Sequence, residues 1–226
     1  MAGAPSSPAF LFDLDGVVVD SNALHVESWK EVARRRGFDC PDPEHIGKCG
    51  LRTLAVIRDL LRWPVSEEEA ARIGFEKEEI YREWIRRDGI RAIPGILEFL
   101  GEARRMGIPC AVGSSAPREN VDLCLRALRV DGMFAATVSG ADVARGKPAP
   151  DIFLKAATAL GERPGHCLVF EDAPAGIAAA HAAGMRAIAL LTSHAREELA
   201  EADGFAPDFT GLSPRSVQAA WKPLGR

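Results

Sequence analysis

Two aspartates, Asp13 and Asp15, directly follow a short apolar run that begins at Ala9. Residues two apart on a regular strand point to the same face, so we expect the two carboxylates to lie together. Carboxylates this close repel each other unless a cation or a shared proton intervenes, and oxygen ligands suit Mg²⁺, which retains waters that a phosphate can replace. The competing interpretation is that Asp15 and Gly16 form only a hairpin turn.

Other polar residues stand where later apolar runs end. They are Ser114 and Ser115 after the second predicted strand, Glu171 and Asp172 after the fourth, and Lys147 in a turn that precedes a helix. Ligands of an open parallel sheet bind beyond the carboxyl ends of its strands, so we expect these groups to converge on one edge. With Asp172 arriving from a neighbouring strand, Asp13 and Asp15 are expected to complete a Mg²⁺ site.

Each of these residues also has an ordinary structural interpretation. The two serines could cap the helix that follows Pro117, and Asp172 could cap the alanine-rich helix that comes after it. Lys147, taken alone, could be an exposed loop residue. It is the joint order of these residues along the chain that favours a functional site.

The elements that must hold these residues alternate between strand and helix. Apolar runs predict strands at residues 9–12, 108–113, 135–139, 167–171 and 187–191, and amphipathic helices separate the later ones. Strands that alternate with helices of about ten or more residues imply right-handed crossovers and a parallel sheet covered on both faces. The expected fold class is therefore α/β, with a doubly wound, Rossmann-like parallel sheet core.

Residues 20–92 differ from the rest of the chain because they carry charge-rich helical periods and no strand pattern. The apolar residues that fall on one helical face are Leu51, Leu54, Ile57 and Leu61. We therefore predict an all-helical cap domain at 20–92, inserted after the first strand of a core domain made of 1–19 and 93–226. An insertion over the sheet edge can close on a ligand and exclude water.

The 226 residues carry a formal charge of −4 and 47% hydrophobic residues, an ordinary composition for a globular protein. The mildly acidic balance argues against a nucleic-acid partner, and no apolar run approaches the roughly 20 residues that cross a bilayer, so no membrane partner is expected. The N-terminal segment shows no secretory signal, and the five cysteines form no C-x-x-C pair. We expect free thiols and a cytoplasmic location; the oligomeric state is open, and a monomer is compatible.

Four segments, in order along the chain, carry a family resemblance. They are Asp13-Leu14-Asp15-Gly16-Val17, Val112-Gly113-Ser114-Ser115, Gly146-Lys147-Pro148-Ala149-Pro150-Asp151-Ile152-Phe153 and Phe170-Glu171-Asp172-Ala173-Pro174-Ala175-Gly176-Ile177. They resemble the four motifs of the haloacid dehalogenase-like hydrolase superfamily, in the branch that contains β-phosphoglucomutase and many small-metabolite phosphatases. The resemblance covers nearly the whole chain and places the helical insertion where that branch has its cap.

The resemblance implies a role for each residue of the site. Asp13 would be the nucleophile that takes the phosphoryl group and forms a phosphoaspartate. Asp15 would protonate the leaving oxygen and then deprotonate water, while its backbone carbonyl helps to hold the metal. Ser114, with Ser115 beside it, would contact the phosphoryl group of the substrate. Lys147 would offset negative charge between the nucleophile and the phosphate.

The resemblance also separates the metal ligands and the reaction classes. Asp172 resembles a direct metal ligand, whereas Glu171 resembles a residue that supports the ligands without contacting the ion. Dehalogenases of the superfamily lack an aspartate at the position of Asp15, and its phosphonate hydrolases have a small residue there. Asp15 therefore favours phosphate esters. The expected activity is that of a Mg²⁺-dependent phosphatase acting on a small phosphorylated metabolite, in particular a sugar phosphate.

Three residues of the insertion repeat features of β-phosphoglucomutase. His25 lies twelve residues after Asp13, where that enzyme has a histidine that restrains the counterpart of Asp15. Lys48 and Arg52 repeat its Lys-x-x-x-Arg spacing, would share a helix or turn face, and could bind a sugar hydroxyl and a distal phosphate. Helix-surface cations and a partly buried histidine are the ordinary interpretations of the same residues.

One departure from the mutase pattern lies after the second motif. This chain has Ala116-Pro117-Arg118-Glu119-Asn120 where the mutase has a Ser-Lys-Asn-like continuation. The departure favours a phosphatase, with a β-phosphoglucomutase-type sugar phosphate mutase as the alternative. A receiver-like phosphorylation switch has similar groups on a doubly wound sheet, but about seventy helical residues between the first two strands disfavour it. A phosphate-sensing relative without catalysis would be expected to lack Asp13 or Asp15.

Overall fold

The structure is a computed structural model that describes residues 8–221. Its strands are β1 (Ala9–Phe12), β2 (Val19–Asp20), β3 (Arg91–Ala92), β4 (Cys110–Gly113), β5 (Ala136–Val138), β6 (Cys167–Glu171), β7 (Arg186–Leu190) and β8 (Gly204–Ala206). Six of them form one sheet in the order β5-β4-β1-β6-β7-β8, and all neighbouring pairs are parallel. The chain builds outward from β1 first on one side and then on the other, which confirms the predicted doubly wound α/β core.

Helices cover the sheet and fill the insertion. They are α1 (Asn22–Arg36), α2 (Pro43–Gly47), α3 (Thr53–Ala55), α4 (Glu67–Asp88), α5 (Ile96–Arg105), α6 (Arg118–Ala127), α7 (Asp151–Leu160), α8 (Pro174–Ala182) and α9 (Pro214–Ala220), with a π-helical segment, Val56–Leu61, after α3. Helices α1 to α4 lie between β2 and β3 in the chain, and the others follow β3. Within residues 8–221, no helix has both the length and the apolar character needed to cross a membrane.

Strand β1 lies at the centre of the sheet, which explains why its sequence is uniformly apolar. It pairs with β4 on one side and with β6 on the other. Phe10 and Phe12 enter one apolar cluster, and Ala9 and Leu11 enter the cluster on the opposite face. All four are fully buried, as expected of a parallel strand covered on both faces. A strand held along both edges fixes the position of Asp13, which follows it.

The strand predictions differ from the structure mainly at the ends of strands and at the sheet edge. Strand β4 begins at Cys110 and not at residue 108, β5 is one residue shorter at each end than predicted, and β7 lies one residue earlier. The sequence does not predict the edge strand β8, the helix α9 or the antiparallel β2–β3 ribbon. Strands of two or three residues leave too little apolar alternation for recognition.

The helical insertion has an apolar core of its own, built around Trp29, Ile57 and Ile73. The predicted apolar face is only partly right, because Ile57 and Leu61 are buried whereas Leu54 is 52% exposed. A loop precedes α3 and the π-helical segment follows it. Both interrupt the regular helical period on which the prediction of that face relied.

Candidate active site

The candidate site lies where the carboxyl ends of β1, β4 and β6 meet the helical insertion. A cavity there is lined by most of the predicted site residues, namely Asp13, Asp15, His25, Lys48, Ser114, Ser115 and Asp172. Lys147 and Glu171 are buried beside it. The sheet edge therefore brings together residues from four separate segments of the core and from the insertion.

Four buried side chains, Asp13, Lys147, Glu171 and Asp172, form what we call the core cluster. Lys147 Nζ lies 2.7 Å from Asp13 Oδ1 and 2.5 Å from Glu171 Oε1. The carboxylates of Asp13, Glu171 and Asp172 each place an oxygen within 4.8 Å of the other two. All four residues are at most 4% exposed. One ammonium group thus stands against three carboxylates and contacts two of them, which leaves an excess of negative charge away from water.

Burial is the main cause of the unusual pKa values in the core cluster. It raises the pKa of Asp13 to about 7, an effect that Lys147 opposes and Glu171 strengthens. Burial, Glu171 and Asp13 likewise raise the pKa of Asp172 well above its ordinary value. Burial alone would lower the pKa of Lys147, but Asp13 and Glu171 outweigh it and raise that pKa. A cation beside these acids would relieve the cost of ionising them.

The donor set of the core cluster fits a hard divalent cation. Asp13 and Asp172 offer carboxylate oxygens at the ends of two adjacent strands, and the excess negative charge matches such an ion. Glu171 is less suited to direct binding, because Oε1 faces Lys147 and Oε2 accepts backbone hydrogen bonds from Asp172 and Ala173 at 2.7 and 2.9 Å. Its contacts fit the supporting position that the sequence resemblance implies.

Two glycines allow the close approach of these carboxylates. Gly16 has a φ of +73°, and a Cβ atom there would lie closer than 3.0 Å to Asp172 Oδ2. Gly176 in α8 would place a Cβ atom within the same limit of Glu171 Oε1. A side chain at either position would displace a carboxylate, so both motif glycines are requirements of packing.

The Asp15 carboxylate faces the insertion, where three groups donate to it. Its Oδ1 accepts hydrogen bonds from Ser21 Oγ at 2.5 Å, His25 Nε2 at 3.0 Å and Tyr81 OH at 3.4 Å. Burial would raise the pKa of this carboxyl group, but His25, Ser21 and the Lys77 ammonium outweigh it and hold the pKa at about 2. Asp15 is therefore ionised near neutral pH in this arrangement. It can accept a proton there, and it can donate one only after it has taken one up.

The two serines do not cap the helix that follows them. Ser114 Oγ accepts a hydrogen bond from the Ala116 backbone N–H at 3.1 Å, and α6 begins after Pro117 without a side-chain cap. Ser115 lines the cavity, and its buried Oγ has no hydrogen-bond partner among the described residues. Because buried polar groups are normally paired, this hydroxyl is available to a ligand.

The structure also contradicts the ordinary interpretations of Lys147, Asp172 and the Asp15-Gly16 turn. Lys147 is not an exposed loop residue, since it is 4% exposed and lies between two carboxylates. Asp172 does not cap α8, which has no side-chain cap. Asp15 and Gly16 do not join a hairpin, because β1 pairs with β4 and β6, while β2 pairs with β3.

The loop that follows β7 contributes contacts that the sequence prediction missed. Ser193 Oγ donates to Asp172 Oδ2, and Asn22 Nδ2 of the insertion donates to Ser193 Oγ at 2.5 Å. His194 Nδ1 donates to the backbone carbonyl of Asp172 at 2.8 Å. The rule that located the other residues, polar groups directly after an apolar strand, points to this loop as well.

The insertion residues Lys48 and Arg52 lie at the two ends of the loop between α2 and α3, not on one helix face. Lys48 lines the cavity. Arg52 instead donates from its guanidinium to the backbone carbonyls of Val143 and Ala144, at 2.8 and 3.2 Å. Direct contact of either residue with a substrate stays a prediction.

The chain belongs to the haloacid dehalogenase-like hydrolase family, whose model matches residues 8–184. Validoxylamine A 7'-phosphate phosphatase of Streptomyces hygroscopicus subsp. limoneus is 32% identical to it, over 88% of this chain and 93% of that protein. Hexitol phosphatase A of Escherichia coli strain K12 is 34% identical, over 86% of this chain and 88% of that protein. A crystal structure of β-phosphoglucomutase from Clostridium difficile has a TM-score of 0.83 at 27% identity, covering 95% of this chain and 96% of that one.

These comparisons confirm the family, the fold and the enzyme class that the sequence predicts. The protein is a phosphatase or a closely related phosphomutase. The receiver-like interpretation is therefore wrong. Hydrolases of this family typically use a divalent metal, and the buried acidic cluster suited to one is present.

Proposed function

We propose that the protein is a Mg²⁺-dependent phosphatase that hydrolyses a small phosphorylated metabolite, a sugar phosphate, through a phosphoaspartate on Asp13. The observation that carries the proposal is the core cluster, in which a buried lysine and three carboxylates adjoin a cavity. The similarity to hexitol phosphatase A and to validoxylamine A 7'-phosphate phosphatase supports the substrate class.

Asp13 is the proposed nucleophile. It lines the cavity, and its ion pair with Lys147 orients the carboxylate. Attack forms a bond between a carboxylate oxygen and phosphorus while the bond from phosphorus to the leaving oxygen breaks. Lys147 offsets the charge of the approaching phosphate. Mg²⁺, held by Asp13, Asp172 and the backbone carbonyl of Asp15, would neutralise charge on the phosphoryl oxygens.

Asp15 is the proposed carrier of protons. The leaving oxygen takes a proton, and the water that later hydrolyses the phosphoaspartate must lose one. The ionised carboxylate suits the second task directly. For the first task Asp15 must have taken up a proton from water beforehand, which the negative charge of the bound phosphate favours. Because the hydrogen bonds from Ser21 and His25 end on Oδ1, Oδ2 can carry that proton to the leaving oxygen while they hold the carboxyl group. Ser114 and Ser115 are proposed to hold phosphoryl oxygens.

We further propose that residues 20–92 act as a cap domain on a core domain of residues 1–19 and 93–226. Two observations support this division: the insertion has its own apolar core, and it joins the sheet domain through the adjacent strands β2 and β3. The proposed substrate-side residues of the cap are His25 and Lys48. Arg52, which the sequence also predicts to contact the substrate, is proposed instead to hold the insertion on the core through the carbonyls of Val143 and Ala144.

A sugar phosphate mutase is the second candidate, favoured by the similarity to β-phosphoglucomutase. A mutase must hold a second phosphate away from the reacting one. Arg118 follows the second motif, but it donates to the Thr137 carbonyl at 3.1 Å and pairs with Asp142. Because the guanidinium is engaged there, the phosphatase is the better supported of the two.

The proposed partner is a small phosphorylated metabolite, with no nucleic-acid or membrane partner. We also propose a cytoplasmic location. Its support is that the five cysteines are unpaired, three of them buried, as is usual in a reducing compartment.

A panel of phosphorylated metabolites tests the proposed function. Purified protein is assayed with sugar phosphates, polyol phosphates and para-nitrophenyl phosphate, with Mg²⁺, after chelation, and after Mg²⁺ is restored. We expect phosphate release that stops on chelation and returns with Mg²⁺. β-Glucose 1-phosphate, with and without a bisphosphate primer, separates the two candidates, because isomerisation without phosphate release would favour the mutase. Absence of metal-dependent turnover on every substrate would contradict both.

A further inference from the structure

The long insertion helix α4 carries three charged residues that are buried. Lys77, Glu78 and Arg82 are 2%, 5% and 3% exposed, although the helix has 22 residues and is rich in charge. Burying a charge is costly unless it is paired and hydrogen-bonded. The partners of these residues therefore show what this face of α4 is built to contact.

Asn120 on the core helix α6 is the partner that joins two of them. It is 1% exposed. Its Nδ2 donates to Glu78 Oε2 at 2.7 Å, and its Oδ1 accepts from the Arg82 guanidinium at 2.6 Å. Glu78 and Arg82 lie about one helical turn apart, so a single amide spans both. An amide suits the position because it offers a donor to the carboxylate and an acceptor to the guanidinium.

The contacts continue from Glu78 to the proposed proton carrier. Lys77 Nζ lies 3.2 Å from Glu78 Oε1 and 2.8 Å from His25 Nδ1. Because an ammonium group can only donate, His25 Nδ1 accepts, and Nε2 carries the proton that is donated to Asp15. The contact between α4 and α6 is thus linked by hydrogen bonds to the Asp15 carboxylate.

We propose that Asn120 is a positioning residue: with Glu78 and Arg82 it forms a latch that holds the insertion against the core and couples its closure to the hydrogen bonds of Asp15. The kinetic consequence of the latch, but not its existence, rests on the proposed function. Moving the insertion away would separate Asn120 from Glu78 and Arg82, and the groups that bond each other across this contact would have to bond water instead. Closure thus shields the cavity and completes the contacts that hold His25 against Asp15 in one movement.

An exchange of the amide and the carboxylate tests the latch. Asn120→Asp places a carboxylate against Glu78, and Glu78→Gln removes the charge that Asn120 contacts. In the double variant the donor lies on α4 and the acceptor on α6, while the contact with Arg82 is kept. We expect each single variant to lower kcat/KM for a sugar phosphate about tenfold, and the double variant to recover most of that loss.

Cys49 provides a measure of closure that does not depend on activity. Its side chain lines the cavity, whereas Cys40, also partly exposed and also in the insertion, does not line it. We expect iodoacetamide to label Cys49 about threefold faster relative to Cys40 in each single variant, with the wild-type ratio restored in the double variant. An unchanged ratio in both single variants would overturn the latch.

Val121→Ala is the matched control for lost stability, because Val121 is fully buried on the same helix and apolar. We expect Val121→Ala to lower the Tm and leave the labelling ratio unchanged. A rise in that ratio equal to the rise in the latch variants would assign the effect to general loosening and overturn the latch.

The latch variants should lose more kcat on a sugar phosphate than on para-nitrophenyl phosphate, whose leaving oxygen needs no proton donor. Equal losses on both substrates would overturn the coupling to Asp15. If the wild type hydrolyses neither substrate, the proposed function fails, and the labelling ratio alone then supports or overturns the latch.

Discussion

The core cluster and the latch are both buried and charged, but they balance their charges differently. In the core cluster, three carboxylates lie close together, and Lys147 pairs with two of them, Asp13 and Glu171. In the insertion, Glu78 contacts both Lys77 and Asn120, so that protein groups satisfy its carboxylate. The core cluster retains charge for a ligand, whereas the latch is complete in itself. A buried charged group therefore points to ligand binding when its charges do not balance within the protein.

Removing the nucleophile is expected to have the largest effect. Asp13→Asn keeps the size of the side chain but cannot form an acyl-phosphate, so steady-state phosphate release with Mg²⁺ should fall by about a thousandfold or more. The variant also lowers the excess negative charge of the core cluster, so a correctly folded variant should have a Tm at or above the wild-type value. Wild-type turnover in this variant would exclude Asp13 as the nucleophile.

The second-largest effect is expected at Ser193, which donates to Asp172 Oδ2. Ser193→Ala removes the donor that orients a proposed metal ligand, so about tenfold more Mg²⁺ should be needed for half-maximal activity. Thr210→Ala, which removes an exposed hydroxyl that donates to Asp208, is the control. If Ser193→Ala and the wild type need the same Mg²⁺ concentration for half-maximal activity, the core cluster orients its metal-ligating side chains without this loop.

A smaller effect is expected from the two insertion cations. Arg52 contacts the backbone carbonyls of Val143 and Ala144, so Arg52→Ala should reduce kcat/KM about three- to fivefold, equally for a sugar phosphate and for para-nitrophenyl phosphate. Lys48 lines the cavity, so Lys48→Ala should raise KM for the sugar phosphate alone. A selective loss on the sugar phosphate in Arg52→Ala would instead support the substrate contact that the sequence predicts.

The smallest effect concerns the acid sensitivity of the latch. Burial would raise the pKa of Glu78, but Lys77 and His25 outweigh it and hold that pKa below its ordinary value of 4.5. A depressed folded-state pKa contributes stability that is present above the unfolded value and is lost as the pH falls towards the folded one. Between about pH 6 and pH 3, the Tm of the wild type should therefore fall more steeply than that of Glu78→Gln. Parallel curves would show that Glu78 gains no stability from its charge.

Sequence reasoning located the core cluster because parallel strands leave a clear pattern. Buried strands are continuous apolar runs, and the residues after them must lie at one edge of the sheet. Asp13 and Asp172 were found in this way. Ser193 follows β7 by the same rule and was missed, because no known motif drew attention to it.

The latch could not be predicted, for a physical reason. Lys77, Glu78 and Arg82 stand in a charge-rich helix, where periodicity does not distinguish a buried polar residue from a solvated one. Only the packing of α4 against α6 determines which charges lose water. The contact of Arg52 with the loop at residues 143–144 likewise depends on how the insertion is placed on the core, which no local pattern encodes.

The β2–β3 ribbon brings the two chain connections of the insertion side by side, because Val19 pairs with Ala92 and Asp20 with Arg91. A segment that leaves and re-enters a domain through neighbouring strands can be lengthened, shortened or replaced while the strand order of the sheet is kept. An exchange of the insertion as a unit would therefore keep the strand order and the core cluster, but the new insertion would again have to supply the donors that Ser21, His25 and Tyr81 present to Asp15.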